Sequence, residues 1–109
     1  MRSERLEFPN RRGERLAARC DLPEGEPEAT ALFAHCFTCT KNLRAVGAIA
    51  SALTARGVAV LRFDFTGLGE SEGDFAETNF TTNVEDLVAA AEAMAGRYRP
   101  PALLLGHSL

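Results

Sequence analysis

No apolar run in this 109-residue sequence comes near the roughly 20 residues that cross a bilayer, which argues against a membrane-spanning helix. The N-terminal stretch MRSERLEFPNRRGERL has neither the apolar segment nor the small-residue cleavage site of a secretory signal, so the expected compartment is the cytoplasm. Positive charge is not in excess. Lys and Arg number 12 against 15 Asp and Glu, for a net charge of -3, and this balance leaves no basic patch for nucleic acid or anionic lipid. Cysteine is scarce: Cys20, Cys36 and Cys39 form an odd set, poorly suited to a disulfide framework and better read as thiols in a reducing compartment. Internal repeats and low-complexity tracts are also missing. With 46% apolar and 25% charged residues, what is present is an ordinary globular segment, one domain or part of one.

The chain opens with a strand around Leu6 to Phe8, a turn at Asn10 to Gly13 and a second strand from Leu16 to Leu22, a pattern that predicts an antiparallel hairpin. After the polar loop Pro23 to Glu28, the continuous apolar run Ala29 to Ala34 predicts a buried strand. Leu43 to Arg56 then places Leu43, Val46, Ile49, Ala50 and Leu53 on one helical face. Thr40 and Asn42 are its candidate N-caps, and Gly57 stands just past its end. Val58 to Phe63 is a further buried strand, and strand, helix, strand in this order demands parallel pairing with a right-handed crossover. Asp64 to Asn79 is a glycine-rich acidic loop. Thr82 and Glu85 predict a capping box for a second helix whose apolar stripe is Val84, Leu87, Val88, Ala91, Met94 and Ala95. Pro100 and Pro101 stop that helix before the last apolar run, Ala102 to Leu105. The prediction is a mostly parallel sheet with helices on its faces and an antiparallel N-terminal hairpin, residues 1–109 forming part of an α/β domain. The final strand belongs near the middle of such a sheet, and with no helix after it its apolar side chains would face water. The natural chain is therefore expected to continue.

In open parallel sheets chemistry collects beyond the carboxyl ends of the strands, and three segments fall there: HCFTC, DFTGLGES and GHS. Gly106-His107-Ser108 is the first half of G-x-S-x-G, in which a serine on a tight strand-to-helix turn holds its hydroxyl above the sheet; Gly106 leaves room for that turn. Ser108 is the candidate nucleophile, weighed against a serine that merely caps a helix or sits in a loop. His35 stands where an oxyanion loop would begin. Phe37 and Leu109 are the residues whose backbone N-H groups would face a developing oxyanion. In this architecture the order is serine, acid, histidine, so the base should follow Ser108; His35 is read as bracing the loop and His107 as a packing residue. The glycines of DFTGLGESEG have the wrong spacing for a dinucleotide loop and open no helix. Glu70, Glu72 and Asp74 lack the spacing of a calcium loop and read as a solvated turn.

Together, AHCFTC, DFTGLGESEGDF and LLLGHSL resemble α/β-hydrolases of the serine-aminopeptidase type over nearly the whole chain. FAHCFTCTKN and RFDFTGLGESEGDFAETNFTTNVEDLVAA are similar to the hydrolase portion of bacterial proteins fused to a C-terminal OsmC-like domain. Cys36, which replaces the glycine usual in the wider superfamily, suits that subgroup. The resemblance implies a serine hydrolase acting on a small-molecule ester or amide through an acyl-enzyme, with Ser108 as nucleophile, Phe37 and Leu109 as oxyanion donors, and no cofactor or metal. The acid and histidine would lie beyond Leu109, so residues 1–109 alone are expected to be inactive and poorly soluble.

Three other readings stand beside it. Cys36-Phe37-Thr38-Cys39 between a strand and a helix is the setting of a thiol redox pair, although such a fold has no use for the hairpin or the G-x-S turn. A zinc site on His35, Cys36 and Cys39 would need a fourth ligand, Cys20 or His107, to reach across the sheet. The same fold can also serve as a non-catalytic binding domain.

Overall fold

The computed structural model describes residues 2–35, 41 and 44–106. The expectations placed on Cys36, Phe37, Thr38, Cys39, Thr40, Asn42, Leu43, His107, Ser108 and Leu109 lie outside the described residues.

Five strands form one sheet in the order β1-β2-β4-β3-β5. β1 (Arg2–Pro9) and β2 (Arg15–Leu22) make the antiparallel hairpin. Its turn is built on Asn10, whose Oδ1 accepts the backbone N-H groups of Arg12 and Glu14, each at 2.9 Å. β2 pairs antiparallel with β4 (Val58–Phe63), and β3 (Ala29–Ala34) runs parallel to both β4 and β5 (Leu103–Gly106). The two buried runs begin and end at the residues expected for them. β1, by contrast, starts four positions before Leu6: its inward positions are Glu4, Leu6 and Phe8, and the carboxylate of Glu4 is accommodated by the Tyr98 hydroxyl at 2.7 Å.

From β3 the chain passes through α1 (Arg44–Thr54) to β4 on one side; from β4 it returns through α2 (Phe80–Arg97) to β5 on the other. Right-handed crossovers moving in opposite directions must put their helices on opposite faces. The core divides accordingly. Val46 and Ala50 of α1 pack on Ala31, Phe33 and Val60, whereas Ala90 and Met94 of α2 pack on Leu16, Cys20, Leu32, Leu61 and Phe63. Central strand β4 supplies alternate residues to both layers, which is why its sequence is apolar at every position but Arg62. Each fully buried Leu, Phe or Met in these layers stabilises the fold by about 1.5–3 kcal/mol.

Two expectations about the helices need correction. The capping box of α2 is Asn79 with Thr82, not Thr82 with Glu85: Asn79 Oδ1 accepts the Thr82 N-H (2.9 Å), and Thr82 Oγ1 accepts the Asn79 N-H (2.8 Å). Asparagine is as good a cap as threonine, and starting three residues earlier adds a turn to the helix. Asn79→Ala removes one of these bonds and is expected to lower stability by about 1 kcal/mol, read as a shift in the urea midpoint. The buried line of α2 is Asn83, Asp86, Ala90 and Met94, while Val84 and Val88 are 40% and 53% exposed. Counting only apolar residues misses a stripe in which two members are polar and one of them is paired. On α1, Ile49 is also more exposed than its helical position suggests.

β5 is the outer strand of the described sheet, with Leu103 and Leu104 47% and 64% exposed. They flank a groove of about 380 Å³ shared with Leu32, Val84, Leu87 and Val88.

Candidate functional site at the strand ends

Parallel register brings the ends of the strands that precede the three expected segments to one edge: Phe33 pairs with Arg62 and Ala34 with Gly106, so β3, β4 and β5 end side by side. His35, 1% exposed, stacks edge-on against Phe65 with ring centroids 5.2 Å apart. Gly106 closes β5, and Ser108 is two positions further along the sequence.

At this edge lies a buried ionic cluster that the sequence did not disclose. Asp64, with no exposed surface, accepts the Lys41 backbone N-H on Oδ1 (2.7 Å); Oδ2 accepts Lys41 Nζ (2.8 Å) and the Glu70 N-H (3.0 Å). Lys41 Nζ also donates to Glu70 Oε1 (2.6 Å), and His35 Nε2 stands 3.8 Å from Asp64 Oδ1. The Asp64 backbone is fixed as well, its N-H donating to the Ala17 carbonyl (2.9 Å) and its carbonyl accepting Ser71 Oγ (2.6 Å). Gly69 is essential to this geometry: its φ is +53°, and a Cβ there would run into the Asp64 carboxylate. The glycines that failed as a phosphate loop let a loop fold tightly over a buried carboxylate.

A second buried pair holds the first. Arg62 Nε donates to Asp21 Oδ2 (2.9 Å), and its Nη1 reaches the Lys41 carbonyl (2.7 Å). Arg62 was the available signal in the sequence: a charged residue inside the run VAVLRF cannot stay buried without a carboxylate. Its partner, on another strand, could not be read from spacing.

The remainder of the 64–79 loop is structural. Glu70, Glu72 and Asp74 are exposed, as expected; in addition Glu72 accepts the Arg15 N-H (2.7 Å) and Asp74 caps a single 3-10 turn, Phe75–Glu77. Thr66 donates its N-H to buried Asp86 Oδ2 (2.8 Å), and its hydroxyl accepts Asn10 Nδ2 (3.0 Å). Burial pushes the Asp86 carboxyl above its ordinary value; the bonds from Thr66 and the charge of Arg12 pull it down, and Glu14 pushes it further up. The folded state thus holds the proton to higher pH than the unfolded chain. The stability that Asp86 contributes is complete below its unfolded pKa of about 4 and falls as pH rises through the folded value. Asp86→Asn keeps an oxygen for Thr66 N-H without the charge. It is expected to raise the urea midpoint at pH 7 relative to wild type, with the difference shrinking toward pH 4.

Cys20 sits in the core on the α2 side, where burial pushes its thiol up to about 12, so it offers no thiolate to a metal or a substrate. Among the described residues, no group of three or more His, Cys, Asp or Glu is placed to hold a metal, and no helix is long and apolar enough to cross a membrane. Two grooves of about 770 Å³ among the described residues lie away from the strand ends. One runs between the Asn10 turn and α2, lined by Pro9, Phe80, Val84 and Val88. It carries no cluster of reactive groups, and the chemistry points to the strand ends instead.

A mixed sheet with helices on both faces and an antiparallel N-terminal hairpin is the N-terminal architecture of an α/β-hydrolase. Residues 25–109 match the family of serine aminopeptidases, S33, and the chain belongs to that family. It is similar to the esterase domain of a Rhodothermus marinus protein, at 57% identity over 98% of this chain and 40% of that one, with a TM-score of 0.77. An α/β serine hydrolase homologue from Coxiella burnetii superposes with a TM-score of 0.83 at 26% identity, covering 99% of this chain and 53% of that one. Est1E from Butyrivibrio proteoclasticus, solved with ferulic acid bound, gives 0.82 at 26% identity, covering 94% and 42%. The chain spans between 40% and 53% of the length of these three structures. No curated protein matches it.

Proposed function

We propose that residues 1–109 are the N-terminal part of a serine hydrolase whose preferred substrates are esters. The observation that supports this is the register of β3 and β5, Ala34 opposite Gly106: the strand that precedes Phe37 in the sequence ends beside the strand that precedes Ser108. Family membership and 57% identity to an esterase domain support it. Ser108 Oγ attacks the acyl carbonyl while a histidine later in the full-length chain takes its proton. The backbone N-H groups of Phe37 and Leu109 stabilise the oxyanion, and the histidine returns the proton to the leaving alcohol. Water then releases the acid by the same route. The acid and histidine come from the portion by which the solved relatives exceed this chain. That portion would also cover the apolar faces of Leu103 and Leu104, which stand open at the sheet edge. The OsmC-like domain and a cytoplasmic location belong to the same proposal.

The test is the intact mass of the native protein from its source cells, captured through this segment and treated with a fluorophosphonate. A chain longer than 109 residues carrying one adduct on Ser108 supports the reading. A native chain without an adduct leaves a hydrolase fold used for binding, or a redox protein built on Cys36 and Cys39. Cys36→Ser separates these two, since it abolishes the redox activity of a Cys36–Cys39 pair and leaves a binding function unchanged.

A further inference from the structure

We propose that Arg5 and Arg19 form an anion site for a doubly charged phosphate group, free or as a phosphate monoester, in a hollow on the face of the hairpin turned toward α1. Its test needs no hydrolase activity.

Residues paired across neighbouring strands share a face of the sheet, and the register sets Arg5 opposite Arg19 and Arg19 opposite Arg62. Three arginines thus stand in a row across β1, β2 and β4. The row shares its face with Val60, which packs against α1, while Leu6, Ala18 and Leu61 belong to the α2 layer. Arg62 is matched by Asp21 at 2.9 Å. Arg5 and Arg19 have no ion-pair partner among the described residues. The other charges on this face of the hairpin are matched: Asp21 also accepts Ser3 Oγ at 2.8 Å, and Arg15 donates to Glu7 at 2.9 Å. Like charges directly opposite each other in an antiparallel pair are destabilising. Two fully exposed arginines escape the repulsion by pointing apart into water. These two line one hollow of about 70 Å³, and Arg19 is only part-exposed.

Lys41, 4% exposed, lines the same hollow. Its ammonium carries three donors and places two of them, on Asp64 Oδ2 at 2.8 Å and on Glu70 Oε1 at 2.6 Å, which leaves one without an acceptor among the described residues. Charge then fixes the class of ligand. The charged groups lining the hollow are Arg5, Arg15, Arg19, Lys41, Glu7 and Glu70. Glu7 matches Arg15, and Glu70 with Asp64 matches Lys41, so the charges of Arg5 and Arg19 remain. A phosphate monoester carries about −1.5 to −2 at pH 7, and guanidinium forks meet its oxygens through paired hydrogen bonds. Size agrees with charge. One water needs about 10–15 Å³ of such space, so the hollow has room for about five waters or one phosphate group, with anything esterified to it left outside.

The experiment follows thermal unfolding of the full-length protein with sodium phosphate, with phenyl phosphate, and with sodium chloride at matched ionic strength. Wild type is compared with Arg5→Gln, Arg19→Gln and, on the same strand outside the hollow, Arg2→Gln. A site with a Kd of about 1 mM raises Tm by about 3–6 °C over the chloride blank when phosphate is present at about 10 mM. Arg2→Gln should keep that rise, Arg5→Gln should lose at least about half of it and Arg19→Gln nearly all of it. Without phosphate, Arg5→Gln and Arg19→Gln should match or exceed the wild-type Tm, because each removes the opposition of like charges. A purely structural role predicts the reverse sign. An equal rise with phenyl phosphate assigns the site to monoesters as well; a rise with inorganic phosphate alone assigns it to the free ion. No rise in wild type beyond the chloride blank overturns the proposal, and so does an undiminished rise in Arg19→Gln. A lower Tm of either arginine variant without phosphate overturns it too, since a carboxylate elsewhere in the full-length chain would then already hold that arginine.

Discussion

Asp64→Ala is expected to destabilise the full-length protein by about 3–5 kcal/mol, the range found when one partner of a buried ion pair is removed. Asp64 is wholly inaccessible and accepts three hydrogen bonds, two from Lys41 and one from the Glu70 N-H. Without it the Lys41 ammonium, on a side chain only 5% exposed, keeps a single carboxylate, that of Glu70, which is itself 56% exposed. Two loop N-H groups lose their acceptor at the same time, and each such buried donor adds about 1–3 kcal/mol to the cost. Asp64→Asn should fall between alanine and wild type, because its one amide oxygen can serve either the Oδ1 or the Oδ2 donors but not both. Urea unfolding of the three proteins measures the series. A midpoint for Asp64→Ala equal to that of wild type would mean that water replaces the carboxylate, and the cluster would then hold nothing in place.

Where the sequence spoke clearly, a local signal coincided with the tertiary arrangement. Ala29–Ala34 and Val58–Phe63 are buried on both faces, so their apolar runs end where the strands end. The crossover rule placed the helices on opposite faces of the sheet. Most of the buried polar residues missed in the sequence are held by distant partners. Asp86 and Asn83 take core positions on α2 although they are polar, Asp86 because a loop N-H 20 residues away needs an acceptor. Asp64 and Lys41 are 23 positions apart, and Arg62 and Asp21 are 41 apart. Pairings of that kind obey no period, and hydrophobic patterning counts each of their members as a surface residue. A charge within a buried strand shows that such a pairing exists without showing its partner, and Arg62 in VAVLRF is the example.

Ser108→Ala in the full-length enzyme is expected to lower kcat by up to about 10⁶-fold, the scale on which removal of a serine nucleophile disables a triad. The remaining rate over water, roughly 10³- to 10⁴-fold, would come from substrate binding and the oxyanion donors. That residue of activity makes the variant informative about the rest of the site. Once the nucleophile is gone, the rate that survives reports substrate binding and the oxyanion donors together. Steady-state hydrolysis of p-nitrophenyl butyrate, with fluorophosphonate labelling as the independent count of competent serines, measures the loss. If Ser108→Ala turned over within tenfold of wild type, the covalent path would not run through this residue, and Cys36 would be the next nucleophile to replace.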